Sequence, residues 1–457
     1  MEQVKDNTLG EGKIAGHLAR LAAPAIIAQL INALYNVIDR IFIGHLPEVG
    51  ALAITGIGIT FPITITISAF GSLLGKGGAP LAAISLGAGN KERSEKILGN
   101  CTSMLVIISV ILTGFLLITK EPILYAFGAG KETFAYANDF LSVYILGTVF
   151  VQLALGLNSF ISAQGFAKTA MMSILIGAVI NTALDPVFIF VFHWGVKGAA
   201  LATVIAQGIS AGWILIFLCS KKSTVRIRAR YLKPDIPIVK AIVKLGISPF
   251  IIESSTSLIN VVLNTQFRKY GGDMYIGAVT VMTSIMVILN IPIIGITQGA
   301  QPIISYNYGA GNYKRVMDTY KLAIKCTFTF GLLSFLFLLY KAQFITGIFS
   351  NNRELVELTA LKMPIYFGGL WAIALHITCQ TTFLAIGQAG FSIFLVLFRK
   401  LIVMIPLAYI LPLFWGVDGV FWATAIADIS ASCMTFTVFQ INIKKILKTG
   451  NGSRVYG

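Results

Sequence analysis

GKGGAPLAAISLGAGNKER (75–93) returns in the second half of the chain as QGAQPIISYNYGAGNYKR (298–315). Gly77, Pro80, the Gly87–Asn90 tetrapeptide and Arg93 recur, in order, as Gly299, Pro302, Gly309–Asn312 and Arg315. One such match would carry little. Two more flank it in the same order: LINALYNVIDR (30–40) with LINVVLNTQFR (258–268), and WGVKGAALAT (194–203) with WGVDGVFWAT (415–424). The early prolines Pro24 and Pro249 precede the first of these pairs. The chain therefore reads as an internal duplication, one supersecondary plan used twice.

What is duplicated is a set of membrane spans. The 457 residues are 56% hydrophobic and 12% charged, with mean hydropathy +0.82, whereas soluble domains carry roughly 25% charged residues. A span needs ~20 mostly apolar residues. Runs of that kind cover 19–44, 51–75, 94–118, 135–163, 169–192, 197–220, 239–267, 275–300, 315–340, 355–386, 391–414 and 417–443. The expected fold is an all-α polytopic membrane protein with twelve transmembrane helices. Six spans per half is an even number, so the halves share one orientation as parallel repeats, a plan common in secondary transporters. The expected organisation is a six-helix bundle in 1–220, a basic linker at 221–237 and a second six-helix bundle in 238–457.

The formal charge of +16 invites a nucleic-acid reading, which its distribution excludes. With the N-terminus inside, roughly three quarters of the Lys and Arg fall on the cytoplasmic side, the bias that orients membrane proteins during insertion. Both termini are then expected in the cytoplasm. The densest basic run, KKSTVRIRARYLKPDIP (221–237), would lie against an anionic inner leaflet, with membrane lipids as partners. The N-terminal MEQVKDNTLGEGKIAGHLARL lacks the pattern of a cleaved signal peptide, so the first span is expected to act as its own insertion signal. The five cysteines form no C-x-x-C pair and read as small buried hydrophobes. No nucleophile motif, H-E-x-x-H or Walker sequence occurs, so neither an enzyme nor a self-contained ATP-driven pump is expected, and no cofactor or resident metal.

Charged groups inside a membrane are expensive and usually functional. Four carboxylates fall well within the runs: Asp39, Asp185, Glu253 and Asp428. Asp39 follows Gln29, Asn32 and Asn36 on one helical stripe, roughly 8 Å from the outer end of its span by helical rise. Asp185 lies about 10 Å from the outer end of the fifth span by the same rise, with Asn181 one turn away on the same face. If they converge, two carboxylates in a low-dielectric setting make a proton-exchanging pair, and Asn181 could complete either a proton network or a Na+ site with Asp39 and Asp185. In the second half Glu253 heads a stripe of Thr256, Asn260 and Asn264. Repeat alignment sets Phe267 opposite Asp39 and Gln207 opposite Asp428. Glu253, His376 and Asp428 are open to functional or structural roles. Pro186 and Pro406 sit at matching places in spans 5 and 11, as mobile or static kinks.

Pro24 and Asp39 in span 1, the Gly-Ala-Gly-Asn turns, Ala163-Gln164-Gly165, Asn181-x-x-x-Asp185-Pro186 and Gly195-Val196-Lys197-Gly198-Ala199-Ala200 together resemble the multidrug and toxic compound extrusion (MATE) family, its DinF-like branch in particular. The resemblance covers essentially the whole chain. It implies a coupling site at Asp39, Asn181 and Asp185 with Thr203, and substrate-cavity positions at Asn32, Tyr35 and Asn158, beside Asn36 of the same stripe. Where a tyrosine would be expected early in span 4 stands Phe140, with Tyr144 one turn on. Glu253 matches the span-7 glutamate of the NorM-like branch, but that branch's span-10 aspartate is replaced by His376 and Gln380. The implied function is a monomeric antiporter of the bacterial cytoplasmic (inner) membrane. It would export small amphipathic or cationic organic compounds in exchange for protons or Na+. A lipid-linked-oligosaccharide flippase is the alternative; it would want a cationic cavity, and the spans read here as mostly carboxylates and neutral polars.

Overall fold

The computed structural model describes residues 8–46, 49–349 and 352–448. Glu2 and Asp6 of the polar N-terminus and Arg454 near the C-terminus lie outside them. Sixteen α-helices follow in order: α1 (Ile14–Gly44), α2 (Gly50–Gly87), α3 (Lys91–Ala126), α4 (Phe134–Leu146), α5 (Thr148–Ala163), α6 (Ala167–Pro186), α7 (Gly195–Cys219), α8 (Ile236–Gly271), α9 (Asp273–Gly309), α10 (Tyr313–Phe349), α11 (Arg353–Tyr366), α12 (Leu370–Ala385), α13 (Ala389–Leu397), α14 (Ile405–Ile410), α15 (Pro412–Trp415) and α16 (Val417–Lys448). Among the described residues, nine helical stretches are long and apolar enough to cross a membrane. The bent pairs α4–α5 (60°) and α11–α12 (50°) raise the number to eleven. α8, 36 residues long, takes the remaining place in the order, its hydropathy lowered by Lys240, Lys244, Glu253 and the Thr256 stripe. Ile118, Ile216 and Phe414 are more than 70% exposed, an outward apolar surface that suits lipid and not water.

The recurring motif that opened the reading is mostly helix rather than turn. α2 runs on to Gly87 and α9 to Gly309, so only Ala88–Asn90 and Ala310–Asn312 break the helices. Gly89 (φ 78°) and Gly311 (φ 73°) take the left-handed conformation that ends a helix. The asparagine that follows caps the next helix, Asn90 Oδ1 accepting from Arg93 N at 2.9 Å and Asn312 Oδ1 from Arg315 N at 3.3 Å.

Two compact units emerge, and they are cut differently from the sequence halves. One comprises residues 1–9 and 27–253, the other 10–26 and 254–457. One boundary lies at Leu9–Gly10, before α1; the other two fall inside α1 and α8, a few residues beyond Pro24 and Pro249. The repeated glycines explain how the first segments of α1 and α8 seat themselves. In the first unit, a Cβ on Gly77 of α2 would strike the carbonyl of Ile242 and the backbone of Gly246 in α8. A Cβ on Gly246 would strike Leu73. In the second unit, Gly299 and Gly295 of α9 leave room for the backbones of Ala22 and Ile26 in α1. Small residues permit such close crossings of membrane helices.

The first unit's core gathers Ile43, Ile67, Leu124, Phe140, Tyr144, Ile189 and Val196. The second unit's core centres on Phe267, Met282, Phe367, Leu370 and Phe421. The basic linker is docked on the first unit rather than slack: Asn100 of α3 donates to the Tyr231 carbonyl at 3.3 Å and accepts from Asp235 N at 2.5 Å. Gln164 Oε1 accepts from Val225 N at 2.8 Å and Ser223 Oγ at 3.0 Å. Arg228 pairs with Glu95 at 3.3 Å.

A π-helical stretch interrupts span 5 at Val187–Val191, and another interrupts span 11 at Phe398–Met404. Proline supplies no N–H and crowds the carbonyl of the preceding turn. The second stretch lies in the turns just before Pro406, where widening the helix relieves that crowding; the first follows Pro186 directly.

Candidate functional site

In the first unit, α1 and α6 deliver Asp39 and Asp185 to one place, where their carboxyl groups lie within hydrogen-bonding reach of each other. Asp185 is wholly buried and Asn181 nearly so. Asn181 Nδ2 donates to Asp185 Oδ1 and to Thr203 Oγ1, each at 3.3 Å, and Thr203 in turn donates to the Ala199 carbonyl at 3.1 Å. Three buried oxygens of this set, Asp39 Oδ1, Asp185 Oδ2 and Asn181 Oδ1, have no hydrogen-bond donor. Buried acceptors are ordinarily satisfied. A proton shared by the two carboxyls would satisfy two of the three, and a small oxygen-liking cation could take all three. Tyr35 lies beside Asp39, Asp185 and Tyr144, and Phe140 stacks on Tyr144 at 5.8 Å. Four of the residues singled out in the sequence, Asp39, Asn181, Asp185 and Thr203, thus meet in one network, with Tyr35 at its edge.

Others are not part of it. Asn36 Nδ2 donates to the Asn32 carbonyl at 2.6 Å on the open face of α1. Asn158 ties α5 to α6 instead, donating to the Ala170 carbonyl at 3.0 Å and to Ser173 Oγ at 2.6 Å. Glu253 Oε1 accepts from Lys76 Nζ at 2.7 Å and from Ser72 Oγ at 2.6 Å, both on α2 within the first unit. Asp428, 1% exposed, accepts from Arg399 Nε at 2.9 Å and Nη2 at 2.7 Å. His376 is a buried core histidine, its Nδ1 2.7 Å from Thr435 Oγ1, and Gln380 Nε2 donates to Ser392 Oγ at 3.1 Å. Where the first unit places Asp39, the second places Phe267, fully buried with its ring 4.7 Å from Phe421. Among the described residues no three His, Cys, Asp or Glu side chains cluster as a metal site, and Cys101, Cys219, Cys326, Cys379 and Cys433 are all free.

The structure adds three cations that the sequence reading passed over: Lys76, Arg399 and Lys400. The last two fall inside the expected apolar run 391–414, and the structure keeps them within the helical stretch Ala389–Trp415 of span 11, beyond the turn at Ile386–Gln388. Cations thus stand beside the carboxylates and neutral polar groups of the spans. Lys76 had a visible signal, since it stands inside the repeated motif. Arg399 and Lys400 interrupt a long apolar run, and the rule applied to carboxylates applies to them equally.

A duplicated set of membrane helices is a plan common in secondary transporters. The MatE family model matches residues 24–187 and 249–410, once in each half, and the chain belongs to this family, the multidrug and toxic compound extrusion transporters. The multidrug export protein MepA of Staphylococcus haemolyticus is 26% identical over 432 residues, 94% of each chain. A MATE solved in the bent conformation superposes with a TM-score of 0.91 at 24% identity, covering 98% of this chain and 99% of that one. A MATE in the straight conformation gives 0.89 at 25% identity, with 97% and 99% covered.

Proposed function

We propose that this chain is a secondary antiporter that exports amphipathic, often cationic, organic compounds, with Asp39 and Asp185 as the proton-exchanging pair and Asn181 and Thr203 as their supports. The observation that carries the reading is the facing of the two carboxyls with Asp39 Oδ1 and Asp185 Oδ2 lacking donors. One proton between them turns two unsatisfied acceptors into a hydrogen bond. Entry of a proton from outside would draw α1 and α6 together, and its loss inside would let them part. A ligand shifts such an equilibrium only by its different affinity for the two states, and a shared proton has that property. Relatives of the same fold adopt bent and straight conformations, in keeping with a two-state cycle. Both termini would face the cytoplasm, and the export named for MepA supports the direction of transport.

The same three oxygens favour one rival, Na+ in place of the proton. Dye accumulation in energised inside-out vesicles separates the readings, with a pH gradient or a Na+ gradient imposed alone. Asp39→Asn and Asp185→Asn should each reduce pH-driven export about tenfold or more, as loss of a required proton site predicts. Full export by both variants sinks the proposal. Export driven by Na+ alone hands the site to the cation.

A further inference from the structure

The Trp-Gly-Val that recurs at 194–196 and 415–417 is followed by opposite charges, Lys197 in the first copy and Asp418 in the second. Each finds a partner within its own unit. Lys197 of α7 pairs with Asp139 of α4 at 3.2 Å, and Asp418 of α16 pairs with Lys362 of α11 at 2.5 Å. α4 and α11 are the short first halves of the two bent pairs of helices. Asp139 and Lys362 occupy nearly the same place in them, about two helical turns ahead of the breaks at Gly147 and Gly369. The two units therefore hold the same ion pair with its polarity reversed.

In other respects the two settings are alike. A Cβ on Gly198 would strike the carbonyl of Phe188, and a Cβ on Gly419 that of Leu411, so α7 and α16 both begin with a close approach to the backbone that precedes them. α4 then packs on α7, and α11 on α16. Apolar packing is non-directional, and duplicated surfaces of this kind offer each half-span two similar docking places. Sorting is a real problem in this chain, because the opening segments of α1 and α8 each lodge in the unit that does not hold the rest of the helix. Charge discriminates where shape does not. An exchange of half-spans would set Asp139 against Asp418 and Lys362 against Lys197, two like-charge encounters in place of two ion pairs. Both pairs are part-exposed, so each adds little stability of its own. What they supply is the difference between attraction and repulsion, and juxtaposed like charges are a general means of excluding wrong partners.

We propose that the reversed pairs Asp139–Lys197 and Lys362–Asp418 direct each half-span to its own unit during assembly, α4 to α7 and α11 to α16. The partner that each surface accepts is a segment of this same chain, and the partner it rejects is that segment's counterpart in the repeat.

Reversing polarity tests this without removing a pair. Asp139→Lys with Lys197→Asp reverses the first unit, and Lys362→Asp with Asp418→Lys reverses the second. Either reversal alone keeps both native pairs but makes the exchanged pairs attractive. All four substitutions together make the exchanged pairs repel again. Membranes holding the full-length protein are treated with a carbodiimide, which joins an amine to a carboxylate in contact, and the linked peptides are identified by mass spectrometry. Size-exclusion chromatography in detergent gives the yield of monodisperse protein. Each single-unit reversal should lower that yield about twofold or more, as two competing docking places become equally favoured. Each should also show links 139–418 and 197–362 beside the native 139–197 and 362–418. The fourfold variant should return to the wild-type yield. Single-unit reversals that match the wild type and show only native links overturn the proposal. So does a yield that falls without the exchanged links, or one that the fourfold variant fails to restore, since either would assign the pairs to local stability alone.

Discussion

Arg399 binds a single carboxylate oxygen of Asp428 with two of its N–H groups, and the two side chains differ sharply in exposure, 21% for the arginine and 1% for the aspartate. The aspartate is the committed partner. Removing either member strands a charge, and breaking a buried pair destabilises by about 3 kcal/mol or more. Asp428→Leu and Arg399→Leu should each lower the melting temperature in detergent, while the double variant recovers most of the loss. A double variant as unstable as the sum of the singles would show that the pair is not acting as a unit.

The α2–α8 crossing should tolerate no side chain. A Cβ on Gly246 would overlap Leu73 of α2, so Gly246→Val, and to a lesser degree Gly246→Ala, should prevent the first segment of α8 from seating. Size-exclusion profiles of the detergent-extracted protein report it, with the monodisperse peak of the wild type giving way to aggregate. A normal profile for Gly246→Val would mean that the crossing is looser than described.

Lys76 and Glu253 form a half-exposed pair, with side chains 43% and 26% exposed. Water screens such pairs to roughly 1 kcal/mol or less. Glu253→Gln should therefore change thermal stability little. Both oxygens of the carboxylate are available to Na+ only if Lys76 withdraws, so Na+-driven export should appear in Lys76→Gln and not in the wild type. Vesicles with an imposed Na+ gradient check this.

Asn100 is the peg on which the basic linker hangs, since its amide holds both the Tyr231 carbonyl and Asp235 N. Asn100→Ala should free the linker while leaving the spans intact. Limited trypsin digestion of membranes is the readout, with faster cleavage at Arg228 and Arg230 expected. An unchanged cleavage rate would place the anchoring with Gln164 instead.

Much of this could be read from the residues alone. The duplication, the helical spans and the Asn181–Asp185 step rest on local spacing, and helical geometry carries local spacing into space with little loss; the place of Thr203 beside Asp39, Asn181 and Asp185 came through the resemblance to the MATE family. What stayed hidden depended on tertiary pairing. Nothing in the order of residues says that Glu253 meets Lys76, or that Asn158 holds α5 to α6. The repeated glycines misled in the other direction. In Gly75-Lys76-Gly77 they suggest a turn, yet they serve an unbroken helix by admitting another backbone. The basic pair 399–400 interrupts the apolar run 391–414 without ending it, because Asp428 and two hydroxyls on other helices receive the two side chains.

The unit boundaries inside α1 and α8 have a consequence for biosynthesis. The second unit is assembled from residues 10–26 and 254–457, two parts of the chain synthesised well apart. Its first piece must wait in the membrane, unmatched, while some two hundred residues are inserted. A chain severed in the linker would yield two fragments, each lacking a helix segment that the other retains. Neither fragment alone should reach its final packing, whereas the two made together in one cell could still complete each other.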